Sequence, residues 1–318
     1  MSFPIDAVIT WVDGKDEQHQ QKILPYLKNK GVTTNKEFRT RLDQVEEIKY
    51  SVNSILKYAK FIRNIYIVTD NQVPNFIKYK EEGTYDNVFI VDHKDIFKED
   101  KKYLPVFSNR PIETKLYNIP DLAEHFLYFN DDMFLLKETK ITDFFIDGKP
   151  LIRGKWLKFE EEKLHKKIFS YSEESKAKPK HKRAQQKAAE VAGFEKRFFR
   201  FQHIPAPLRK STFQTFFKEN REAEIENVKY KFRSVAQFTP QGLANHIEIK
   251  NKTCVLKDDY QLIYIHKDKY FVWSKYKLRV KVNNPNKLFL NLQSLDQCPE
   301  DKLTFFLNWL EDKYRLDY

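Results

Sequence analysis

The chain has 318 residues, with 57 Lys or Arg against 45 Asp or Glu and a formal net charge of +12. That length supports one large domain or two ordinary ones, and the positive balance points to anionic partners: nucleic acid, phosphorylated polymers, nucleotides or an acidic membrane surface. Only 7 glycines are present, with neither GxGxxG nor GxxxxGK[ST] among them, so phosphate handling falls to side chains or a metal rather than a glycine loop.

In chain order, Ile5 to Val12 is a short β-branched run that predicts a strand stopping at Asp13 and Gly14. The opening MSFPIDAVITWVDG carries Asp6 and no basic flank, unlike a signal peptide, and no apolar run approaches the roughly 18 residues that span a bilayer. The expectation is a cytoplasmic protein, able to rest on the inner face of the cell membrane through its basic charge. Asp43 and Glu46 have capping-box spacing, and Val45, Ile48, Val52, Ile55, Leu56 and Ala59 form one helical stripe. Asn64 to Thr69 predicts a second strand ending at Asp70, and Asn87 to Val91 a third ending at Asp92. Ile112 to Leu122 reads as a helix interrupted near Pro120.

The most informative stretch follows: His125 to Leu135, HFLYFNDDMFL, an apolar strand-like run with Asp131 and Asp132 in its middle. Buried unpaired carboxylates cost several kcal/mol, so such a pair calls for a divalent metal, an Arg or Lys, or a helix N-terminus. The alternative is a strand ending at Asn130 with both acids in an exposed turn. Strands alternating with helices predict a largely parallel α/β sheet, and ligands of such sheets bind beyond the carboxyl ends of the strands. Asp13, Asp70, Asp92 and Asp131 would then gather along one edge, although Asp is also a common turn residue.

Residues 155–200 are dominated by Lys and Arg, as in KAKPKHKR, and predict a solvated basic helix-and-loop insertion. It would separate an α/β core (1–154) from a mixed part (201–318) that completes the active site. In that part, prolines stiffen His203 to Pro207. A helix is expected from Pro240 to His246 and a strand from Tyr260 to His266. Leu303, Phe306, Leu307, Leu310 and Tyr314 mark a closing helix that docks on the body. Cys254 and Cys298 stand apart, with no metal-ligand or disulfide spacing.

Four blocks together resemble the Stealth family of sugar-1-phosphate transferases: IDAVITWVDGKD; the stretch from Arg41 through IRNIYIVTDNQVP, VFIVDHKDIF, LPVFSNRPIETKL and IPDLAEHFLYFNDDMFL; HIPAPLRK with YKFRS; and a faint C-terminal block. The resemblance covers the first 150 or so residues densely. It implies a Rossmann-like, GT-A-like, mostly parallel sheet flanked by helices, and transfer of a hexose- or N-acetylhexosamine-1-phosphate from a nucleotide-sugar, UDP-linked by expectation, to a glycan hydroxyl in capsule or cell-surface polysaccharide synthesis. Two departures stand out. Arg110 occupies a position where family members usually carry histidine, and FLNLQSLD has Asn291 and Gln293 where they carry an Asn-Asp pair, leaving Asp296 to supply an acid.

On that resemblance, Asp131 and Asp132 would bind Mg²⁺ or Mn²⁺, since hard cations take oxygen ligands. Arg233 in YKFRS would place fixed charge on phosphate. His203 is the candidate base and His93, with Asp92 to orient it, the competitor. Trp11, Asp13, Gly14, Asp70, Asn71 and Gln72 would hold base and ribose, and Arg110, Glu113 and Lys115 lie near the same crevice. Partners are a nucleotide-sugar and a glycan acceptor, with no nucleic acid. The competing readings are a metal-dependent glycosyltransferase attacking the anomeric carbon and a non-catalytic polyanion binder, which the strand-end acids disfavour.

Overall fold

The computed structural model describes residues 3–27, 45–80, 83–160, 162, 180–266 and 271–316. Strand β1 (Ile5–Thr10) is buried at every position, the mark of a parallel strand covered on both faces. Helix α1 (Glu17–Ile23) follows, its N-cap Asp16 accepting the His19 backbone N–H at 2.7 Å. Helix α2 (Glu47–Tyr58) buries Ile48, Val52 and Ile55 of the predicted stripe. The predicted capping box does not start it: Glu46 is itself the N-cap, at φ 65° and without a side-chain cap hydrogen bond, while Asp43 lies outside the described residues.

Strands β2 (Ile62–Thr69) and β3 (Val88–Asp92) are separated by the single-turn helix α3 (Asn75–Lys78). Asp92 caps the next helix, α4 (His93–Phe97). Helix α5 (Asn109–Lys115) begins before Ile112 and passes into a 3₁₀ turn at Leu116–Asn118, because Pro120 bars helical geometry at the residue before it. Strands β4 (His125–Asn130) and β5 (Met133–Leu135) then flank Asp131 and Asp132.

The remaining elements are β6 (Phe145–Ile146), β7 (Lys149–Arg153), β8 (Lys155–Lys158), α6 (His181–Val191), β9 (Arg197–Arg200), β10 (Ala206–Arg209), α7 (Lys210–Glu219), α8 (Arg221–Val228), α9 (Pro240–Lys250), β11 (Val255–Lys257), β12 (Leu262–His266), α10 (Phe271–Arg279), β13 (Phe289–Gln293) and α11 (Glu300–Tyr314).

The main sheet runs β10-β4-β1-β2-β3. Its β4-β1-β2-β3 pairs are parallel, and β10 adds antiparallel to β4 at the edge, where Pro207 costs no interior ladder bond. Along β1, Ile5, Ala7 and Ile9 enter the core shared with α2, while Val8 enters the opposite core with α4, α5, α7 and α9 residues. The expected α/β class, a mostly parallel sheet with helices on both faces, is what the chain adopts. A smaller sheet, β12-β13-β5, closes over a third core with Phe306, Leu310 and Tyr314 of the predicted closing helix, now α11.

The basic stretch is less solvated than its composition predicts. Strands β8 and β9 pair antiparallel, and Ala184, Ala188 and Ala189 of α6 are buried. At Gly242 of α9 a Cβ would come within 3.1 Å of the Ala188 Cβ and 2.4 Å of Thr239 Oγ1, so small residues on both helices allow their close approach. The most Lys-rich part, residues 163–179, lies outside the described residues.

Lys115 is a structural residue rather than part of the crevice. Its Nζ is buried between Asp100 Oδ2 and Glu224 Oε1, each at 2.5 Å, and Arg221 bonds both acids from the other side. Two cations thus neutralise two buried carboxylates. Lys115→Met should lower stability by about 3 kcal/mol through incomplete compensation of the acids, read as a lower urea midpoint at unchanged slope.

Candidate functional site

A cavity of about 560 Å³ opens beyond the carboxyl ends of β1 and β4. Its acidic wall consists of Asp131 and Asp132 after β4, Glu47 from the first turn of α2, and Asp296 just after β13. Its basic and imidazole wall consists of Arg110 from α5, His181 from the first turn of α6, His203 between β9 and β10, and Arg233 after α8. The cavity therefore presents acidic and basic side chains drawn from seven places in the chain.

The paired aspartates do sit in a turn, but a half-buried one, where the chain leaves the main sheet through β4 and enters the small sheet through β5. The Asp132 carbonyl accepts the Leu292 backbone N–H and Asn291 Nδ2, both at 3.1 Å, and Ser51 Oγ donates to the Met133 carbonyl at 2.9 Å. Thus Asn291, the departure seen in the C-terminal block, braces the turn, and the same block delivers Asp296 to the acidic wall. Burial, then the Asp132 charge, pushes Asp131 up to about 7; burial pushes Asp132 up to about 6 against the Asn291 hydrogen bond. Glu47 is raised by burial and by the charges of Asp131 and Asp132.

Among the described residues, no group of three or more His, Cys, Asp or Glu side chains is close enough to hold a metal alone. Yet Oδ1 of Asp132 is buried with no hydrogen-bond partner, and the donors here are all carboxylate oxygens. That set fits a hard divalent cation held by two carboxylates, with substrate oxygens and water completing its shell.

Among the basic and imidazole side chains, His203 and His181 stack with ring centroids 5.0 Å apart. Burial, then Arg233, lowers the His203 pKa, and burial with His203 and Arg233 pushes His181 down to about 3. Both rings are neutral near pH 7. Glu113 receives the Tyr128 hydroxyl at 2.9 Å; burial raises its pKa, opposed by that hydrogen bond and by Arg233 and Arg110. Arg110 Nη1 donates to the Ser234 carbonyl at 2.9 Å, which ties the Arg233 loop to α5.

A side cavity of about 70 Å³ shares Val12, Asn109, Asp131 and Arg233 with the main one and adds Trp11, His19, Asp70, His93 and Ser108. Trp11 Nε1, Ser108 Oγ and the ring nitrogens of His19 and His93 are buried there without hydrogen-bond partners. Burial pushes His93 down to about 4. Asp92 does not orient it: that carboxylate accepts the Lys94 backbone N–H at 2.8 Å as a helix cap. Asp70 instead pairs with Lys22 at 3.0 Å.

Asp131, Asp132, His203, Arg233, Arg110 and Glu113 thus line the main cavity, while Trp11, Asp70 and His93 line the side cavity. Asp13, Gly14, Asn71, Gln72 and Lys115 line neither. The Gln72 side chain pins the loop after β1 by bonding both the N–H and the C=O of Asp13 at 2.9 Å, and the Gly14 carbonyl accepts Gln20 Nε2. Glu47, His181, Tyr128 and Gln241 line the cavity without having been singled out in the sequence. His181 hides in a lysine run, and Glu47 looks like any acid in a first helical turn.

The raised aspartates set a pH dependence. An Asp near 3.9 when unfolded binds more protons folded if its folded pKa is 6 or 7. Stability of the metal-free protein therefore falls as pH rises from about 4 to about 7. In chelator, Asp131→Asn with Asp132→Asn should melt several degrees higher than the parent at pH 8, the difference shrinking toward pH 4. Mn²⁺ should raise the parent's melting temperature alone. A pH-independent difference would contradict the assigned strain.

Residues 3–31 match the family model Stealth protein CR1, conserved region 1, and residues 41–151 match Stealth protein CR2, conserved region 2. The chain is 42% identical over 147 residues to the capsular polysaccharide phosphotransferase fcs1 of Haemophilus influenzae, covering 45% of this chain and 38% of that protein. It is 42% identical over 146 residues to LcbA of Neisseria meningitidis, another capsular polysaccharide phosphotransferase, with coverage of 45% and 38%. The exopolysaccharide phosphotransferase cps2G of Lactiplantibacillus plantarum is 41% identical over 149 residues, with coverage of 46% and 41%. The matched segment spans about two fifths of the length of these relatives. A crystal structure of the galactosyltransferase LgtC with donor and acceptor sugar analogs aligns over 98% of this chain and 97% of its own, at 10% identity and a TM-score of 0.47. Conserved regions 1 and 2 carry the parallel strands β1 to β4 and the Asp131–Asp132 turn, so this part of the chain is what matches the Stealth family models.

Proposed function

We propose that this chain transfers a sugar-1-phosphate from a nucleotide-sugar to a glycan hydroxyl during capsule or cell-surface polysaccharide synthesis. The observation that carries the reading is one cavity at the strand ends lined both by the acids Asp131 and Asp132 and by Arg233, Arg110 and His203. The relatives' names, capsular and exopolysaccharide phosphotransferases, support phosphorus rather than the anomeric carbon as the point of attack.

In this reading the acceptor oxygen attacks the phosphorus that bears the sugar. The bond from that phosphorus to the bridging oxygen breaks, a nucleoside monophosphate (UMP for a UDP-sugar) leaves, and a phosphodiester remains. A bound Mg²⁺ or Mn²⁺ would supply charge neutralisation on the diphosphate, held by Asp131 and Asp132. Arg233 and Arg110 offer fixed positive charge to the phosphate oxygens, where a planar guanidinium pairs two oxygens at once. His203, neutral because burial and Arg233 lower its pKa, can accept the acceptor's proton. Within the side cavity, the unpartnered polar atoms around Trp11 and His93 would receive the nucleoside end.

His203→Ala should reduce turnover by about 10²–10⁴-fold, the usual span for a lost general base, with nucleotide-sugar affinity in calorimetry changed little. Phosphorus NMR of the parent reaction should show UMP and a phosphodiester in the glycan. Release of UDP with no phosphorus retained would instead assign an ordinary glycosyltransferase.

A further inference from the structure

Helix α10 carries two apolar faces, and among the described residues only one has a partner. Ser274 and Leu278 are buried, and Phe271 packs on Phe305 and Phe306 of α11. On the other side, Val272 is 78% exposed, Trp273 64%, Tyr276 44% and Val280, just past the helix end, 51%. Positions 272, 276 and 280 recur every four residues, with Trp273 beside them, so these side chains share one arc of the helix. The Trp273 and Tyr276 rings meet edge-to-face at 5.9 Å.

Cationic residues border this arc. At 100° per residue, Lys275 and Arg279 flank one edge and Lys277 the other, with Lys281 a turn beyond. From Phe271 to Ser294 the chain has five Lys or Arg and no Asp or Glu. An exposed arc of Trp, Tyr and Val between cations has the composition of a helix lying in the headgroup layer of an anionic bilayer. A second copy of the chain is a poorer occupant, because it would bring the same cations against this rim. The strands on either side of α10 in sequence end at His266 and Gln293, both lining the main cavity.

We infer that α10 is a membrane-surface docking element, seating Val272, Trp273, Tyr276 and Val280 in the interface of an anionic lipid bilayer. At nine residues α10 is too short to span a bilayer, so the contact it makes lies at the surface. His266 and Gln293, which end the strands flanking α10 in sequence, tie this docking element to the lining of the main cavity, as suits an acceptor presented at a lipid surface.

The test is sedimentation of the full chain with phosphatidylcholine vesicles containing or lacking phosphatidylglycerol. The expected result is binding only to the anionic vesicles, weakened by salt. Val272→Ser with Trp273→Ser, both at exposed positions, should lower the partition coefficient roughly tenfold. Arg279→Gln with Lys281→Gln should lower it roughly fivefold per charge. The blue shift of tryptophan emission on vesicle addition should vanish in Trp273→Phe. No activity is measured, so the outcome is independent of the proposed reaction. Absence of vesicle binding by the parent chain would overturn the inference, as would binding unchanged in the serine variant. A dimer of the parent in analytical ultracentrifugation, lost in that variant, would also overturn it in favour of self-association.

Discussion

The structure turns on the two-residue passage at Asp131 and Asp132, where one strand of the parallel sheet ends and the chain crosses into a second sheet. The crossing requires a half-buried turn, and a half-buried turn made of two acids gathers negative charge that nothing on its own wall offsets. Burial accordingly raises both carboxyl groups, and the neighbouring Glu47 is raised with them. The geometry survives because the backbone of the turn is well bonded: Asn291, Leu292 and Ser51 hold its carbonyls and those beside it. A rigid backbone under a raised pair of carboxyl groups is the arrangement that the proposed function assigns to a cation, and the guanidiniums and imidazoles lining the same cavity are those it assigns to phosphate.

A second use of buried charge in the same molecule is a useful contrast. Around Lys115 the acids Asp100 and Glu224 are closed off by Lys115 and Arg221, so every charge has a partner and the cluster only joins α5 to α8. Asp6, fully buried in β1, is likewise satisfied by both Arg63 nitrogens and the backbone N–H groups of Asn64 and Ala123, which locks the entry ends of β1, β2 and β4 together. Charge that is compensated within the fold builds it, and charge left uncompensated at a cavity marks where something else binds.

Much of this was legible from residue order. The β-branched runs at β1, β2 and β3 and the stripe of α2 follow from local periodicity, and the predicted limits fall within a few residues of those observed. The errors have local causes. Glu46 reads as the far half of a capping box but is the cap itself, and α5 gives way to a 3₁₀ turn under Pro120. The basic stretch conceals an alanine face that only becomes apolar surface once Gly242 lets α9 approach it. Gln72 and Asp13 looked like ligand contacts because they end strands, yet the Gln72 amide is spent on the Asp13 backbone and the Asp13 carboxylate accepts the Lys15 backbone N–H.

By itself the sequence determined the alternation of strands and helices, the parallel α/β class, and the position of an acid pair within an apolar run, because each depends on neighbours within a few residues. Tertiary structure alone decided that Glu47, Asp296, His181 and His203 line one cavity with that pair, since they are brought together from positions far apart in the chain. It also decided that Lys115 is compensated while Asp131 and Asp132 are not. Whether a buried charge has a partner depends on what long-range packing sets beside it, and spacing along a chain does not record that.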